Sequence, residues 1–398
     1  MKFFLVVIVI SVVVLLLEAG CGISPNLLPQ YTAALPDMQT TPLGISATKL
    51  HEWILPYGTI SDAKWAMDSS KFSVVGFFGG ATIYDPNTYQ VIWNLEPVQI
   101  HAATSNIFTP DGKSIVIFNA SGVQIWDILS HQLLTEITDE NGAQNCIRPV
   151  TYGHDAVFSQ DGHTLFLSVE DNSDKRTTYT KIEKWDTTSW HCMGTLLSTE
   201  GHPRSLALSP NGRFLAIGIS EGISDSGGFA SGTEKGHTLI WDILDNKQHC
   251  TVDEAPSTFA PGNIGSLVVF KSGMNQSNSW ENQVIYLNEQ CQPSQILLDL
   301  TPPYPFLSPL SFSPNGQMLA LGRKKIWILD ANSGSILVKI PDAVPNTPSD
   351  SHVTDILSFS PDGRFLGRAA AEISFLETGE FVSILAGILS KAKILLRR

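Results

Sequence analysis

The stretch LSPNGRFLAIG, residues 208–218, holds a turn followed by an apolar run. Pro210 presets φ for the second position of a type I turn and Asn211 tolerates the third. Gly212 supplies the left-handed conformation that returns the chain into an antiparallel strand. The same arrangement recurs as TPDG at 109–112, SQDG at 159–162, SPNG at 313–316 and SPDG at 360–363, with weaker versions in MDSS at 67–70 and FKSG at 270–273. Each is flanked by β-rich apolar text, the pattern of a hairpin.

One residue per turn, at 69, 112, 162, 212, 273, 316 and 363, gives successive steps of 43, 50, 50, 61, 43 and 47 residues. A period in the forties with several short strands per unit suits a propeller blade. One four-stranded sheet cannot bury both of its faces alone, whereas neighbours stacked in a ring can. The expectation is an all-β chain: a seven-bladed β-propeller of four-stranded antiparallel blades over residues 46–387.

About fifteen residues after several turns a strand ends in an aromatic–acid pair: IWD at 125–127, KWD at 184–186 and IWD at 240–242, with IYD at 83–85 and ILD at 328–330 as variants. Together with Gly-His at 153–154 and 201–202, these residues resemble WD-repeat β-propeller blades. The resemblance implies a hydrogen-bonded chain in each well-kept blade, running through the Gly-His histidine, a strand-b Ser or Thr, a tight-turn Asp and the strand-c Trp. No blade here carries all four, so a divergent bacterial-type propeller is expected, held mainly by apolar burial between sheets.

The chain has 398 residues, 43% of them hydrophobic and 16% charged, so one ring accounts for its length without a second domain. A formal net charge of −13 disfavours nonspecific nucleic-acid binding, which needs clustered Lys and Arg; only the tail at 388–398 is locally basic.

The N-terminus reads as an address. Residues 1–20 carry MK, an apolar run from Phe3 to Leu17 and then EAG before Cys21. AGC at 19–21 resembles the cleavage site of bacterial lipoprotein signal peptides, in which the Cys is acylated; Glu18 stands where that pattern has an apolar residue. An uncleaved signal anchor and simple secretion stay open, although the run is nearer signal length than the ~20 residues of a spanning helix. All three export the chain, and the first two tether it to a membrane on the extracytoplasmic side. Residues 21–45, with Pro25, Pro29, Pro36 and Pro42, read as a semi-extended tether.

Chemistry is sparse. Cys192, Cys250 and Cys291 fall just after strand c, and His191-Cys192 with His249-Cys250 offers two nitrogens and two sulfurs to zinc. Outer strands of adjacent blades are expected to splay apart at the rim, beyond the ~7 Å Cα limit of a disulfide. Neither disulfide nor metal is therefore expected. Gly218-Ile-Ser220-Glu-Gly222 fits GxSxG, and Asp225-Ser226-Gly227-Gly228 is similar to the nucleophile loop of trypsin-like proteases. A nucleophile elbow needs a strand-to-helix turn in a parallel sheet, however, and a triad is defined by its geometry.

Two b–c insertions, at 169–180 and 219–237, leave adjacent blades on the ring face that WD-repeat partners often use. That face is expected to gather Asp139, Glu140, Asp171, Asp174, Glu221, Asp225, Glu234, Asp253 and Glu254. Its negative potential favours a basic protein partner over Ca²⁺, since no DxDxDG-type loop is present. The reading is a noncatalytic, membrane-tethered protein-binding propeller without cofactor or metal. The alternative is a lactonase-like or quinoprotein-like propeller enzyme with a metal or cofactor at the central channel. Ring closure stays open between ATKLHEWILPY at 47–57 and EFVSILA at 380–386 as the last outer strand.

Overall fold

The computed structural model describes residues 48–377 except 55–59, 77–78, 97–102, 120–121, 138–145, 147–154, 172–176, 221–235, 254–256, 260–266, 275–279, 301–309, 323–325, 341–355 and 370–371. The expected signal segment with Cys21, the tether, EFVSILA and the basic tail lie outside these residues. Among them, no helix is long and apolar enough to cross a membrane.

The protein is an all-β propeller of four-stranded antiparallel blades. A first strand, β1 (Thr48–Ile54), precedes the repeats. Blade 1 is β2 (Ile60–Trp65), β3 (Phe72–Gly76), β4 (Ala81–Asp85) and β5 (Gln90–Leu95); blade 2 is β6 (Ala103–Phe108), β7 (Ser114–Asn119), β8 (Gly122–Asp127) and β9 (Gln132–Ile137). Blade 3 is β10 (Ala156–Phe158), β11 (Thr164–Asp171), β12 (Tyr179–Asp186) and β13 (His191–Glu200). Blade 4 is β14 (His202–Leu208), β15 (Phe214–Ser220), β16 (Gly236–Asp242) and β17 (Lys247–Val252). Blade 5 is β18 (Ser257–Phe259), β19 (Leu267–Met274), β20 (Trp280–Leu287) and β21 (Pro293–Leu300). Blade 6 is β22 (Leu310–Phe312), β23 (Met318–Leu321), β24 (Ile326–Asp330) and β25 (Ile336–Ile340).

These six blades each use four consecutive strands. The remaining four-stranded sheet is composite: β26 (Ile356–Phe359), β27 (Phe365–Ala369) and β28 (Glu372–Glu377) are completed by β1 on the outer edge of β28. The N-terminal strand therefore takes the outer position of the last sheet.

The repeated turn has a specific chemistry. In the five copies led by Ser or Thr, that hydroxyl donates to the Asp or Asn two residues on and accepts the N–H five residues on, whereas the MDSS turn starts from Ala66 and closes on Ser69. Ser209 Oγ donates to Asn211 Oδ1 (2.7 Å) and accepts from Phe214 N (2.8 Å), and Thr109, Ser159, Ser313 and Ser360 do the same. The carboxylate or amide oxygen then accepts the N–H two residues further, as Asn211 does from Arg213. The turn closes on Gly212 at φ +70°, in the left-handed region where a side chain is strained. FKSG departs from the expectation: 270–273 lies inside β19, and the a–b connection of blade 5 falls upstream, between Phe259 and Leu267. It lacks both the Pro and the Asx acceptor, so its glycine alone mimics the turn.

The acid of each aromatic–acid pair ends strand c and caps the c–d turn. Asp127 Oδ1 accepts from Ser130 N (2.7 Å) and Asp186 Oδ1 from Ser189 N (2.7 Å), with Asp85, Asp242 and Asp330 equivalent. The turn then exits through a left-handed residue (Tyr89, His131, Trp190, Asn246, Cys291, Gly334), and the c–d pairing carries a bulge beside it.

Apolar clusters join every neighbouring pair of sheets. Val75, Ile83 and Trp93 of blade 1 meet Phe108, Ile115 and Ile117 of blade 2, and the series continues sheet by sheet. It returns to its start where Trp65, Phe72 and Tyr84 pack on Phe365 and Ala369 of β27. Full burial of such side chains contributes roughly 1.5–3 kcal/mol each, and Phe72, Ile83, Ile115 and Leu366 are wholly buried. The strand-c tryptophans do not use the WD-repeat hydrogen-bond chain. Trp126 and Trp185 donate to Gln124 (3.2 Å) and Glu183 (3.0 Å) two residues earlier on their own strands, and the buried Trp241 indole N–H has no partner among the described residues.

Candidate functional site

Antiparallel order puts a–b and c–d turns on one ring face and b–c and d–a connections on the other. On the second face the b–c connections are longest at blades 3 and 4, beyond Asp171 paired with Tyr179 and Ser220 paired with Gly236. The first insertion is thus shorter than expected, because Val169, Glu170 and Asp171 continue strand b and Tyr179 and Thr180 begin strand c.

Extending the strands changes what their acids do. Asp171 is buried and paired with Lys181 Nζ at 2.6 Å, so it is an internal ion pair and not a free carboxylate of the acidic face. Glu170 is also buried; its Oε2 lies 3.1 Å from Nδ1 of His202, the Gly-His histidine that opens β14 of the next blade. This contact crosses between blades. Arg204 Nη2 donates to Ser220 Oγ (3.1 Å), and Thr180 Oγ1 donates to Gly201 O (2.8 Å). Gly201 has φ +111°, and a Cβ there would sit 2.8 Å from Ser220 O, so only glycine lets β14 leave blade 3 this closely. Asp253 is exposed at the end of β17. Asp139, Glu140, Asp174, Glu221, Asp225, Glu234 and Glu254 lie outside the described residues.

Ser220 is buried, takes the Arg204 guanidinium on its Oγ and ends a strand paired on both sides. That is the antiparallel blade context, without the strand-to-helix turn of a nucleophile elbow. Ser226 lies outside the described residues.

Sequence reasoning missed a cluster on the innermost strands. Lys64 of β2 reaches Asp155 Oδ1, just before β10, at 3.2 Å and Asp62 Oδ1 at 3.7 Å. Asp62 Oδ2 also accepts from Ser105 Oγ (2.7 Å) and Asn106 N (3.1 Å) of β6, while Asp155 Oδ2 accepts from Leu206 N (2.8 Å) of β14. Three residues thus link the inner strands of blades 1 to 4. Burial pushes the Asp62 carboxyl up from its ordinary range, against the pull of Lys64. Burial opposes the Lys64 charge, yet Asp155 and Asp62 outweigh it and hold its pKa above the usual lysine value. Each carboxylate is engaged by backbone N–H and ammonium together, an arrangement suited to fixing strands. The available signal was the DAK triplet at 62–64, polar residues at alternate positions of an inner strand.

The cysteines also depart from expectation. Cys146 pairs with Cys192 and Cys250 with Cys291, at Cα separations of 6.1 and 6.4 Å. The rim does not splay there because the partners are not equivalent outer-strand positions. Cys250 on β17 meets the c–d turn of blade 5, and Cys192 on β13 meets a residue of the connection from blade 2. The two His-Cys dipeptides consequently do not share one zinc. An even set of four cysteines apart from Cys21, in a chain read as exported, was the signal for a disulfide framework.

No family model matches the chain, and no curated protein matches it. Among solved structures the chain is similar to Kuenenia stuttgartiensis hydrazine synthase, with a TM-score of 0.60 at 16% identity over 82% of this chain and 97% of that chain. At that identity the likeness shows the β-propeller fold alone.

Proposed function

We propose that the protein is an extracytoplasmic, membrane-tethered propeller of WD-repeat type that binds a protein partner through the b–c/d–a face of blades 3 and 4, without catalysis of its own. The observation that carries this reading is the Glu170–His202 contact, which ties the root of the blade 3 b–c connection to the first strand of blade 4, where His202 pairs with Ser220 at the root of the next b–c connection. Loops that project from a fixed base lose less entropy on binding than loops on separate bases. Two disulfides suit an oxidising compartment, in keeping with an export signal. Cys21 is the proposed lipidation site, and the partner would be basic, to match Asp174, Glu221, Asp225 and Glu234.

The test is proximity crosslinking in intact membranes, comparing the parent with a variant carrying Asp174→Asn, Glu221→Gln, Asp225→Asn and Glu234→Gln. Glu170 and Asp171 are left intact because their side chains are internal. Loss of a reproducible partner from the folded variant supports the reading, and an unchanged partner set refutes it.

A further inference from the structure

Where Cys250 meets Cys291, a third donor is present. One ring nitrogen of His249 and the two Sγ atoms all lie within 4.8 Å of one another. The imidazole is oriented by a hydrogen bond: Nε2 lies 2.7 Å from the Glu289 carbonyl oxygen. A carbonyl only accepts, so Nε2 is the donor, and Nδ1 is the ring nitrogen left to serve as a ligand. A histidine that donates one N–H to a backbone carbonyl while the other nitrogen stays free is the usual arrangement of a metal ligand. Phe214 packs against the same ring, with centroids 5.0 Å apart, and limits its rotation.

One rigid turn supplies both the supporting carbonyl and a ligand. In the turn after β20, Cys291 N donates to Asn288 O (2.9 Å), and Asn288 Oδ1 accepts from Gln290 N (3.0 Å) and Gln292 N (2.9 Å). Glu289 O and Cys291 are thereby fixed relative to each other, opposite His249 and Cys250 on β17. Two thiolates on tetrahedral zinc, with Zn–S of about 2.3 Å, stand roughly 3.8 Å apart. The Cα separation of 6.4 Å accommodates that spacing as well as a disulfide.

We propose that reduced Cys250 and Cys291, together with His249, form a site for a borderline-soft metal ion, zinc in the first instance, and that the disulfide is its closed state. A dithiol reductant opens the site. One of its thiolates attacks a cystine sulfur, its second thiol displaces the mixed disulfide, and it leaves as its own disulfide after giving two electrons and two protons. Zinc then takes the two sulfurs as thiolates with release of two protons, takes Nδ1 of neutral His249 as third ligand, and keeps water in the fourth position. Cys250 and Cys291 are both part-exposed and His249 is exposed, so reductant and ion reach the site from solvent. Among the described residues the other pair has no histidine in its cluster: Glu183 stands beside Cys146 and Cys192, buried, with a carboxylate oxygen taken by the Trp185 indole.

The experiment uses the full chain, oxidised or reduced with a phosphine under anaerobic conditions, and titrates zinc against a chromophoric chelator. The reduced protein is expected to hold one zinc that Cys250→Ser with Cys291→Ser removes and Cys146→Ser with Cys192→Ser does not. The oxidised protein is expected to bind none there, and His249→Ala to weaken binding at least tenfold. If either cysteine variant fails to fold, X-ray absorption on the zinc-loaded reduced parent gives the answer: two sulfurs and one imidazole support the site, and any other first shell overturns it. A reduced, folded parent without stoichiometric zinc, or a His249→Ala variant with unchanged affinity, also overturns it.

Discussion

The turn hydroxyls give the sharpest test, because the same substitution can be made at copies that differ only in burial. Ser313 and Ser360 are wholly buried, and each both donates to its Asx partner (2.7 Å) and accepts a buried N–H, from Met318 or Phe365 (2.9 Å). Ser313→Ala or Ser360→Ala removes one hydrogen bond of about 1 kcal/mol and strands a buried N–H at about 1–3 kcal/mol, so about 2–4 kcal/mol is expected at each. Ser159 makes the same contacts while part-exposed. Water can replace its hydroxyl, and Ser159→Ala is expected to cost about 1 kcal/mol. Urea unfolding midpoints with unchanged m-values report the difference. Equal losses at 159, 313 and 360, or losses under about 0.5 kcal/mol at the buried sites, would refute the argument that this hydroxyl organises the repeat.

Three further outcomes follow from the same structure. The aspartates that cap the turns, among them Asp111, Asp161, Asp186 and Asp242, sit below their ordinary value of 3.8, held there chiefly by hydrogen bonds at the last three and by Thr109 and Lys113 against burial at Asp111. Their folded-state pKa is depressed, so the stability they contribute is present above about pH 4 and is lost as pH falls through the folded value. Asn211 and Asn315 already do the same work without titrating, so Asp111→Asn with Asp161→Asn should leave stability at pH 7 nearly unchanged and flatten its acid limb in a pH series of melting curves. Replacing Cys146 and Cys192 with serine opens a 46-residue crosslink, and Cys250 with Cys291 a 41-residue one; chain-entropy arithmetic gives about 4 kcal/mol for each, read as a lower urea midpoint and checked against reduced parent. Lys64→Met leaves Asp62 and Asp155 without their shared cation, at about 1–2 kcal/mol after allowing for the one-third exposure of Lys64. Since burial raises the Asp62 pKa above its ordinary value, that loss should shrink as pH falls and Asp62 takes up its proton; a pH-independent loss would count against the cluster as described.

What was legible in the sequence was whatever the chain must repeat. A left-handed glycine, an Asx acceptor and, at all but 159–162, a preceding proline have a local cause, so the a–b hairpins at 109–112, 159–162, 209–212, 313–316 and 360–363 could be placed without knowing their neighbours. The acids after Trp126, Trp185 and Trp241 were found for the same reason, although their work as turn caps was not. FKSG failed because glycine was weighed without the hydroxyl and the Asx residue that complete the turn. The closing sheet could be narrowed only to two candidate strands, since the pairing of β1 with β28 joins residues some three hundred positions apart.

The candidate site was less legible, because charge was assigned to surface by its distance from apolar text. Asp171 stands in a string of polar residues, VEDNSDKRTTYT, that reads as a solvated loop, yet strand pairing carries its first three residues inward and supplies Lys181 across the blade. Glu170 likewise found a partner from another blade, and Asp62 and Asp155 found theirs across four inner strands. Each of these buried or half-buried charges takes a cation or hydrogen-bond donor from another strand, and such a partner is invisible where the strand is distant in sequence. An acidic balance of −13 is therefore a poor guide to where a propeller presents charge. The carboxylates proposed for a partner lie in sequence beyond the ends of the strands, and the contact between Glu170 and His202 at their base is what makes the proposal worth testing.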